Sequence, residues 1–280
     1  VTMAAAAAAP PAAYEGAGGA AEWAARVELA EAYSIVAKLG AAEWGWTHCV
    51  YNHITAKLPD EAAAALGVAG PLFLINQFGC RFDEVTAASL HTVDLAGQIV
   101  RTGEAIAGVR DRGVLLAGYT IHSAVHAARP DVKAVFHTHH PDVVAVSALQ
   151  CGLLPCSNEG CLSLALLSKM RHPFEGTATD PEEKVRIAAA LGPTAMSLLL
   201  NNHGVVCCGT SVQSALRNIW VFTKAANYQV RALSAAGGDP ARLVYPPPSV
   251  VEECLEREMK QQRGGPLGEV EFEAWLRGPA

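Results

Sequence analysis

The segment "VFHTHHPDVV", from Val135 to Val144, joins a short apolar run to three histidines within four positions and then to a proline. The apolar run predicts a strand that stops at Pro141, and "VVAVSAL" predicts a helix directly after it. On a strand, residues i and i+2 face the same side, so His137 and His139 project together with Cα atoms roughly 7 Å apart. His140 faces the opposite side. Two imidazoles at such a strand end can converge on one metal ion, but an H-x-H pair alone more often has another role.

A third candidate ligand, His203, lies in "LLLNNHGVV" at a turn between two apolar runs. A neighbouring strand end could bring this turn beside the histidine pair. Three histidine ligands leave coordination positions open for water or substrate, which is typical of a catalytic metal site. His122 and His126, in "YTIHSAVHAARPD", are four residues apart and share one helix face. They are candidates for further ligands or for core histidines.

Helical and strand-like patterns alternate around this segment. One helix is predicted over about 23–39, and a long one follows Ser211, which is its N-cap. Between these helices, "GWTHCVYNHITAKLP" and "GPLFLINQFG" predict strands, and "LHTVDLAGQIV" predicts a hairpin. This order predicts an α/β fold, a three-layer α/β/α sandwich around a central mixed, largely antiparallel sheet. We expect a disordered Ala/Pro/Gly-rich leader over 1–22, one domain over 23–245 and a C-terminal tail with short helices over 246–280.

Charge and composition argue against several function classes. The 280 residues carry a net charge of −6 without a long run of Lys or Arg, so a nucleic-acid partner is not expected. No segment approaches the ~20 uninterrupted apolar residues that span a bilayer, so a membrane location is not expected either. Eight cysteines, none in a C-x-x-C pair, predict reduced thiols in a cytoplasmic protein rather than a disulfide framework.

The order of motifs resembles the class II aldolase/adducin family, and the adducin head domain in particular. The matching blocks are "GWTHCVYNHIT", "FLINQFGCRFDEVTAASL", "AGYTIHSAVHAARPDVKAVFHTHHP", "LLLNNHGVV" and "QVRALSAAGG", in that order. The resemblance implies a homotetramer with active sites at subunit interfaces. It also implies a divalent ion, usually zinc, held by the H-x-H pair and the later N-H-G histidine. These positions are His137, His139 and His203 here, and His140 is not a ligand.

The sequence departs from the sugar-phosphate aldolases of this family at the catalytic acid/base and at the phosphate cradle. The position of their acid/base glutamate is matched by His122, which could move protons or act as a fourth ligand. Phe78 and Ile121 stand where small hydroxyl residues bind the phosphate, and neither offers a donor to its oxygens. We therefore expect a substrate without phosphate. Phe78 and Tyr119 suggest an aromatic one.

Three further residues are predicted to bind substrate. Asn52 matches the asparagine of the family's substrate loop, and Gly79 is expected to form a backbone turn near the ligand. Thr120 is the remaining hydroxyl of the cradle and could bind a carboxylate.

Three functions are compatible with these residues. The first is a metal-dependent lyase of the aldolase or decarboxylase type, acting on a small non-phosphorylated oxo- or hydroxy-acid through a metal-stabilised enolate. The second is a non-heme iron oxygenase that decarboxylates an aromatic 2-oxo acid oxidatively, since histidine ligands suit Fe(II) as well as zinc. The third is a non-catalytic interaction module, because adducin heads share these motifs yet serve in cytoskeletal assembly.

Overall fold

The computed structural model describes residues 10–42, 49–176, 180–264 and 267–278. Within them, the α-helices are α1 (Gly16–Ala42), α2 (Asp60–Ala65), α3 (Leu116–Ala128), α4 (Pro141–Ser147), α5 (Asn158–Leu166), α6 (Pro181–Leu191), α7 (Val212–Ala235), α8 (Pro248–Gly264) and α9 (Glu269–Arg277). The strands are β1 (His53–Lys57), β2 (Phe73–Ile75), β3 (His91–Val93), β4 (Ile99–Arg101), β5 (Ala134–Thr138), β6 (Ser197–Leu200) and β7 (Gly204–Gly209).

The strands form one sheet in the order β4-β3-β2-β1-β5-β7-β6. Each neighbouring pair of these strands is antiparallel, and parallel pairing is confined to the isolated bridges Leu167–Ser197 and His172–Leu200. The predicted hairpin over "LHTVDLAGQIV" is formed by β3 and β4. A three-layer α/β sandwich with a largely antiparallel sheet is confirmed.

Helices cover both faces of the sheet because its central strands alternate two sets of apolar side chains. Ile54 and Phe136 belong to a large core with residues of α1, α4, α7 and α9. Val135 and Val206 belong to a second core with residues of α3 and α6. His53 and Thr55 of β1 lie opposite His137 and Val135 of β5, so all four side chains project toward α3. Two histidines and a threonine therefore lie on an otherwise apolar face.

Part of the predicted leader is helical in the structure. α1 begins at Gly16, before the expected start near residue 23, and a 3-10 turn precedes it over Ala12–Tyr14. The ring of Tyr14 is buried, with its centroid 5.0 Å from that of Trp23, and the Arg26 guanidinium lies 5.2 Å from it. Alanine has the highest helix propensity, and this packing anchors the extra turns. Residues 1–9 lie outside the described residues.

The C-terminal segment forms two helices that pack on the body. α8 extends over seventeen residues, and its buried Glu258 pairs with Arg217 of α7 at 2.5 Å. α9 inserts Phe272 into the large core. In the part of the chain that the structure describes, no helix is long and apolar enough to cross a bilayer.

Candidate metal centre and active-site cavity

The end of β5 and the turn between β6 and β7 bring three histidines together. β7 pairs with β5 so that Val205 lies opposite Thr138, which places the turn beside the H-x-H segment. His137, His139 and His203 each offer a ring nitrogen, and these atoms lie within 4.8 Å of one another. The three predicted ligands therefore converge, as the strand periodicity and the position of the turn suggest.

The turn that carries His203 depends on the glycine after it. Asn202 has a left-handed backbone with φ of 55°, which asparagine tolerates better than most residues. Gly204 approaches the end of β5 so closely that a Cβ would lie 2.3 Å from the carbonyl oxygen of Thr138. Only glycine allows this approach, so the N-H-G sequence positions the third histidine.

A backbone carbonyl orients the ring of His137, and a side-chain amide holds the main chain at His139. His137 donates a hydrogen bond from Nδ1 to the carbonyl oxygen of Val205 at 3.0 Å, which leaves Nε2 without a proton and facing Nε2 of His139 at 2.8 Å. The backbone N–H of His139 donates to Oδ1 of Asn52 at 3.2 Å. A ring N–H bonded to a backbone carbonyl is the usual outer support of a metal-binding histidine.

The electrostatics of the cluster also suit a metal. Burial lowers the pKa of His137 well below its ordinary value, and the neighbouring His139 and His203 lower it further. Burial likewise lowers the pKa of His203. Histidine binds metal as the neutral imidazole, so a depressed pKa favours it. Two nitrogens at the usual zinc–nitrogen distance are about 3.4 Å apart in a tetrahedral site, and the ring nitrogens here lie within 4.8 Å of one another, so small shifts would bring them to an ion. The residues present therefore fit a divalent ion.

A cavity of about 300 Å³ opens onto the cluster. Its lining combines the three histidines with mostly apolar groups: Tyr51, Leu115, Ala117, Gly118, Ile121, Phe174 and Gly176. Tyr51 and Phe174 are 49% and 58% exposed, so these two aromatic side chains lie where the cavity meets solvent. A small apolar pocket with a few convergent polar groups is typical of a ligand site.

His122 lies buried on α3, where it belongs to a polar network beneath the helix. Its Nδ1 is 2.9 Å from the hydroxyl of Thr55, and the same hydroxyl is 2.8 Å from Nε2 of His126. Nε2 of His122 is buried and has no hydrogen-bond partner among the described residues. Burial lowers the pKa of His122 well below its ordinary value, with His53 and His126 adding to the effect. His122 is therefore a neutral imidazole with one ring nitrogen uncommitted.

Two predicted substrate contacts face elsewhere. The hydroxyl of Thr120 donates its proton to the carbonyl oxygen of Leu116, one helical turn earlier, so it has none to offer a carboxylate. Tyr119 is buried against Phe73 and donates its hydroxyl proton to the carbonyl oxygen of Asp94. The rotation of α3 sets both directions, and the role of Thr120 in substrate binding stays a prediction.

The remaining predicted site residues have defined positions. Asn52 is buried and, besides accepting from His139, donates to Thr138, so it supports the H-x-H segment directly. Gly79 has φ of 108°, as the predicted turn requires, and a Cβ there would lie 3.3 Å from a guanidinium nitrogen of Arg112. Their roles in substrate binding stay predictions.

His140 is not at the surface. It is buried and caps α4 by accepting a hydrogen bond from the backbone N–H of Asp142 at Nδ1. The position before Pro141 at a helix start explains this role, because an N-cap side chain satisfies a free backbone donor.

Sequence reasoning missed Tyr51, Phe174 and Thr55. Tyr51 adjoins Asn52 and could have been found from that neighbour, and Thr55 follows His53 at the i+2 spacing of a strand. Phe174 carries no local signal, since its segment reaches the cavity only by folding. His172 was also missed. It is buried, and its Nε2 lies 3.1 Å from a carboxylate oxygen of Glu183, outside the cavity.

This chain is similar to known proteins over most of its length. Residues 28–230 match the family model described as the Class II Aldolase and Adducin N-terminal domain. Alpha-adducin of Mus musculus is 41% identical over 241 residues, which are 84% of this chain and 30% of alpha-adducin. A Pseudomonas aeruginosa protein provisionally described as an aldolase class 2 protein is 36% identical, over 92% of this chain and 90% of its own.

A solved structure supports the same assignment. The crystal structure of an aldolase II superfamily protein from Pseudomonas syringae superposes with a TM-score of 0.78 at 38% identity, covering 92% of each chain. The match of family model, relatives and fold extends over most of the chain. This protein therefore belongs to the class II aldolase and adducin N-terminal domain family.

Proposed function

We propose that this protein is a metal-dependent carbon–carbon lyase, of the aldolase or decarboxylase type, for a small non-phosphorylated oxo- or hydroxy-acid. The observation that carries the proposal is the convergence of three imidazoles at a cavity, with Nδ1 of His137 bonded to the Val205 carbonyl. His137, His139 and His203 would hold the ion, with zinc as the first candidate and Fe(II) as the second. Bound there, the ion would polarise the acid's oxygens and stabilise the negative charge that develops when the carbon–carbon bond breaks.

The shape of the cavity supports the choice of substrate. Ile121 lines it at the position where the sugar-phosphate aldolases are expected to have a hydroxyl, and a phosphate needs several donors on its oxygens. Tyr51 and Phe174 offer aromatic faces at the opening, against which an aromatic or apolar acid would pack. A volume of about 300 Å³ suits a molecule of this size.

His122 is proposed to transfer the proton. Its ring is neutral because burial lowers its pKa, and its Nε2 is free of hydrogen bonds among the described residues. Its ring centroid lies 6.2 Å from that of His53, which is opposite His137 on the neighbouring strand. A neutral imidazole can accept a proton in one step and return it in another.

A second candidate function is a non-catalytic binding module, as the resemblance to adducin heads implies. The observation that favours it is the 41% identity to alpha-adducin over most of this chain. The two proposals differ in what they require of the histidines. A lyase needs a bound ion and a free proton-transfer group, whereas a binding module needs neither.

Elemental analysis of protein purified without added metal tests the proposal, with the oligomer mass recorded on the same sample. We expect about one zinc per chain and, as the family resemblance implies, a homotetramer. Iron together with oxygen uptake would favour the oxygenase. No metal after incubation with both ions would refute the lyase and favour the binding module.

Variants locate the ion. His137→Ala and His203→Ala are each expected to lose the metal while keeping the fold, as measured by circular dichroism. His140→Ala is the matched control, since this neighbouring histidine caps α4, and loss of an N-cap costs about 1 kcal/mol of stability. Stoichiometric metal in either of the first two variants would refute the ligand assignment.

A further inference from the structure

The segment 172–176, "HPFEG", forms one rim of the cavity. Phe174 lines the cavity, and its ring centroid lies 6.3 Å from that of His203. The backbone N–H of His172 donates to the carbonyl oxygen of Leu199 in β6 at 3.1 Å, which fixes the start of the rim to the sheet. In the described part of the chain, the next four residues make no hydrogen bond to another backbone group. The position of the rim after His172 therefore depends on side chains.

Two side chains of α6 bind the rim, one on each side of Phe174. Nε2 of His172 lies 3.1 Å from a carboxylate oxygen of Glu183. The Glu175 carboxylate accepts from Arg186, whose Nε lies 3.0 Å from both oxygens and whose Nη2 lies 2.5 Å from Oε2. Two guanidinium donors on one carboxylate fix its direction as well as its distance.

α6 is a fixed base for these bonds. Ile187 and Leu191 of this helix are buried in the second core. Asp180 caps the helix by accepting from the backbone N–H of Glu182, and it also accepts from Nη2 of Arg186 at 2.8 Å. The guanidinium of Arg186 therefore joins the rim to the N-terminus of a packed helix.

The two bonds differ in their exposure to solvent. His172 and Glu183 are 4% and 5% exposed, whereas the side chains of Arg186 and Glu175 are 42% and 27% exposed. Salt screens exposed pairs, and screens buried pairs much less. His172 is therefore the fixed end of the rim, and the Glu175–Arg186 pair sets the position of the residues that follow it.

We infer that Arg186 is a positioning residue, whose bond to Glu175 holds Phe174 across the opening of the cavity. Phe174 is itself largely exposed, so packing against the protein does not fix its ring. The inference deepens the proposed function and rests on it for the ligand, since the ring would contact the apolar end of an aromatic acid.

Limited proteolysis of the full chain, without substrate, tests whether the pair holds the rim. Chymotrypsin cleaves after aromatic residues, and we expect it to cut Arg186→Gln after Phe174 about 2–5-fold faster than the wild type. Added salt should speed the cut in the wild type but not in Arg186→Gln, with a free peptide of the same sequence correcting for the protease's own response. Lys184→Gln removes a cation from the same helix and is the matched control, with a wild-type rate expected.

Calorimetry on the zinc-loaded protein tests the effect on binding. Arg186→Gln should weaken phenylpyruvate binding about 2–5-fold and leave zinc content and pyruvate binding unchanged, because pyruvate has no ring to contact Phe174. A general loss of structure would affect both acids, so the ratio of the two affinities isolates the positioning role. Glu175→Gln and the double variant should give the same ratio as Arg186→Gln, because all three remove one shared bond.

The outcomes separate this inference from the proposed function. A wild-type cleavage rate in Arg186→Gln would overturn the inference, as would an unchanged affinity ratio in a variant that is cut faster. If the wild type binds neither acid, the proposed function fails, and the cleavage rates still decide whether the pair holds the rim. Glu175→Gln breaks the same bond from the other side and replaces Arg186→Gln if that variant does not fold.

Discussion

When the pH is lowered, this protein should begin to lose stability already near pH 6.5, because its buried histidines stay neutral in the folded state. Burial lowers the pKa of His53 to about 4 and that of His126 to about 3. In the unfolded chain, both rings titrate near pH 6.5. Between that value and the folded pKa, the unfolded chain binds protons that the folded protein does not bind. The free energy of unfolding therefore falls as the pH falls, starting near pH 6.5.

The size of the effect follows from the same shifts. Between its unfolded and folded pKa values, each histidine lowers the free energy of unfolding by about 1.4 kcal/mol per pH unit. At pH 5, His53 and His126 therefore each remove about 2 kcal/mol of stability. Once the pH is below the folded pKa of His53, the loss of stability that this residue causes levels off at about 3 kcal/mol. Because a domain is typically stable by about 5–15 kcal/mol, these two side chains alone remove a large fraction of the total.

Urea unfolding in the presence of a chelator, from about pH 7 to about pH 5, measures this loss. His53→Gln removes one titrating ring, so the slope of stability against pH should decrease by about 1.4 kcal/mol per unit. Ser211→Ala is the control: it removes the N-cap of α7 and lowers stability by about 1 kcal/mol, but leaves the slope unchanged. An unchanged slope in His53→Gln, or a His53 pKa near 6.5 by NMR, would refute the reasoning.

Three further predictions concern packing and substrate. Gly118→Ala should destabilise the protein by about 1–3 kcal/mol in thermal unfolding, because its Cβ would lie 2.4 Å from Cδ2 of the buried His53. Glu258→Ala should cost about 3 kcal/mol in urea unfolding, since it removes the nearer partner of Arg217, which is 8% exposed, and leaves the more distant Glu271. Phe174→Ala should weaken binding of phenylpyruvate to the zinc-loaded protein about 2–10-fold by calorimetry, with metal content unchanged.

Each of these has a contrary result. Wild-type stability of Gly118→Ala would mean that His53 shifts without strain. A loss below about 0.5 kcal/mol in Glu258→Ala would place the ion pair among the weak surface pairs. Unaltered phenylpyruvate affinity in Phe174→Ala would show that this ring does not contact the acid.

Much of the fold and of the candidate metal centre could be predicted from local patterns. Period-two alternation placed His137 and His139 on one side of the strand end, and the turn composition of "NNHG" placed His203 in a turn between two strands. Ser211 predicted the start of α7, where its side chain accepts from Ser214. Each of these features depends on neighbours within a few residues, and the backbone geometry of strands, turns and helix ends repeats from protein to protein.

Other features were decided only when distant segments met. The rotation of α3 about its axis turns Thr120 back onto its own helix and Tyr119 into a separate apolar cluster, while Ile121 reaches the cavity. Phe174 arrives there from a segment far along the chain. The helix also sets His122 and His126 on either side of Thr55.

The sequence by itself therefore determined which residues share a strand face or a turn, and so which histidines could meet. The tertiary structure decided what surrounds them: the apolar cavity, the carbonyl of Val205 that orients His137, and the partners of His122. The physical reason is that side-chain direction along one element follows the backbone period, whereas contacts between elements depend on how their faces pack over long sequence separations.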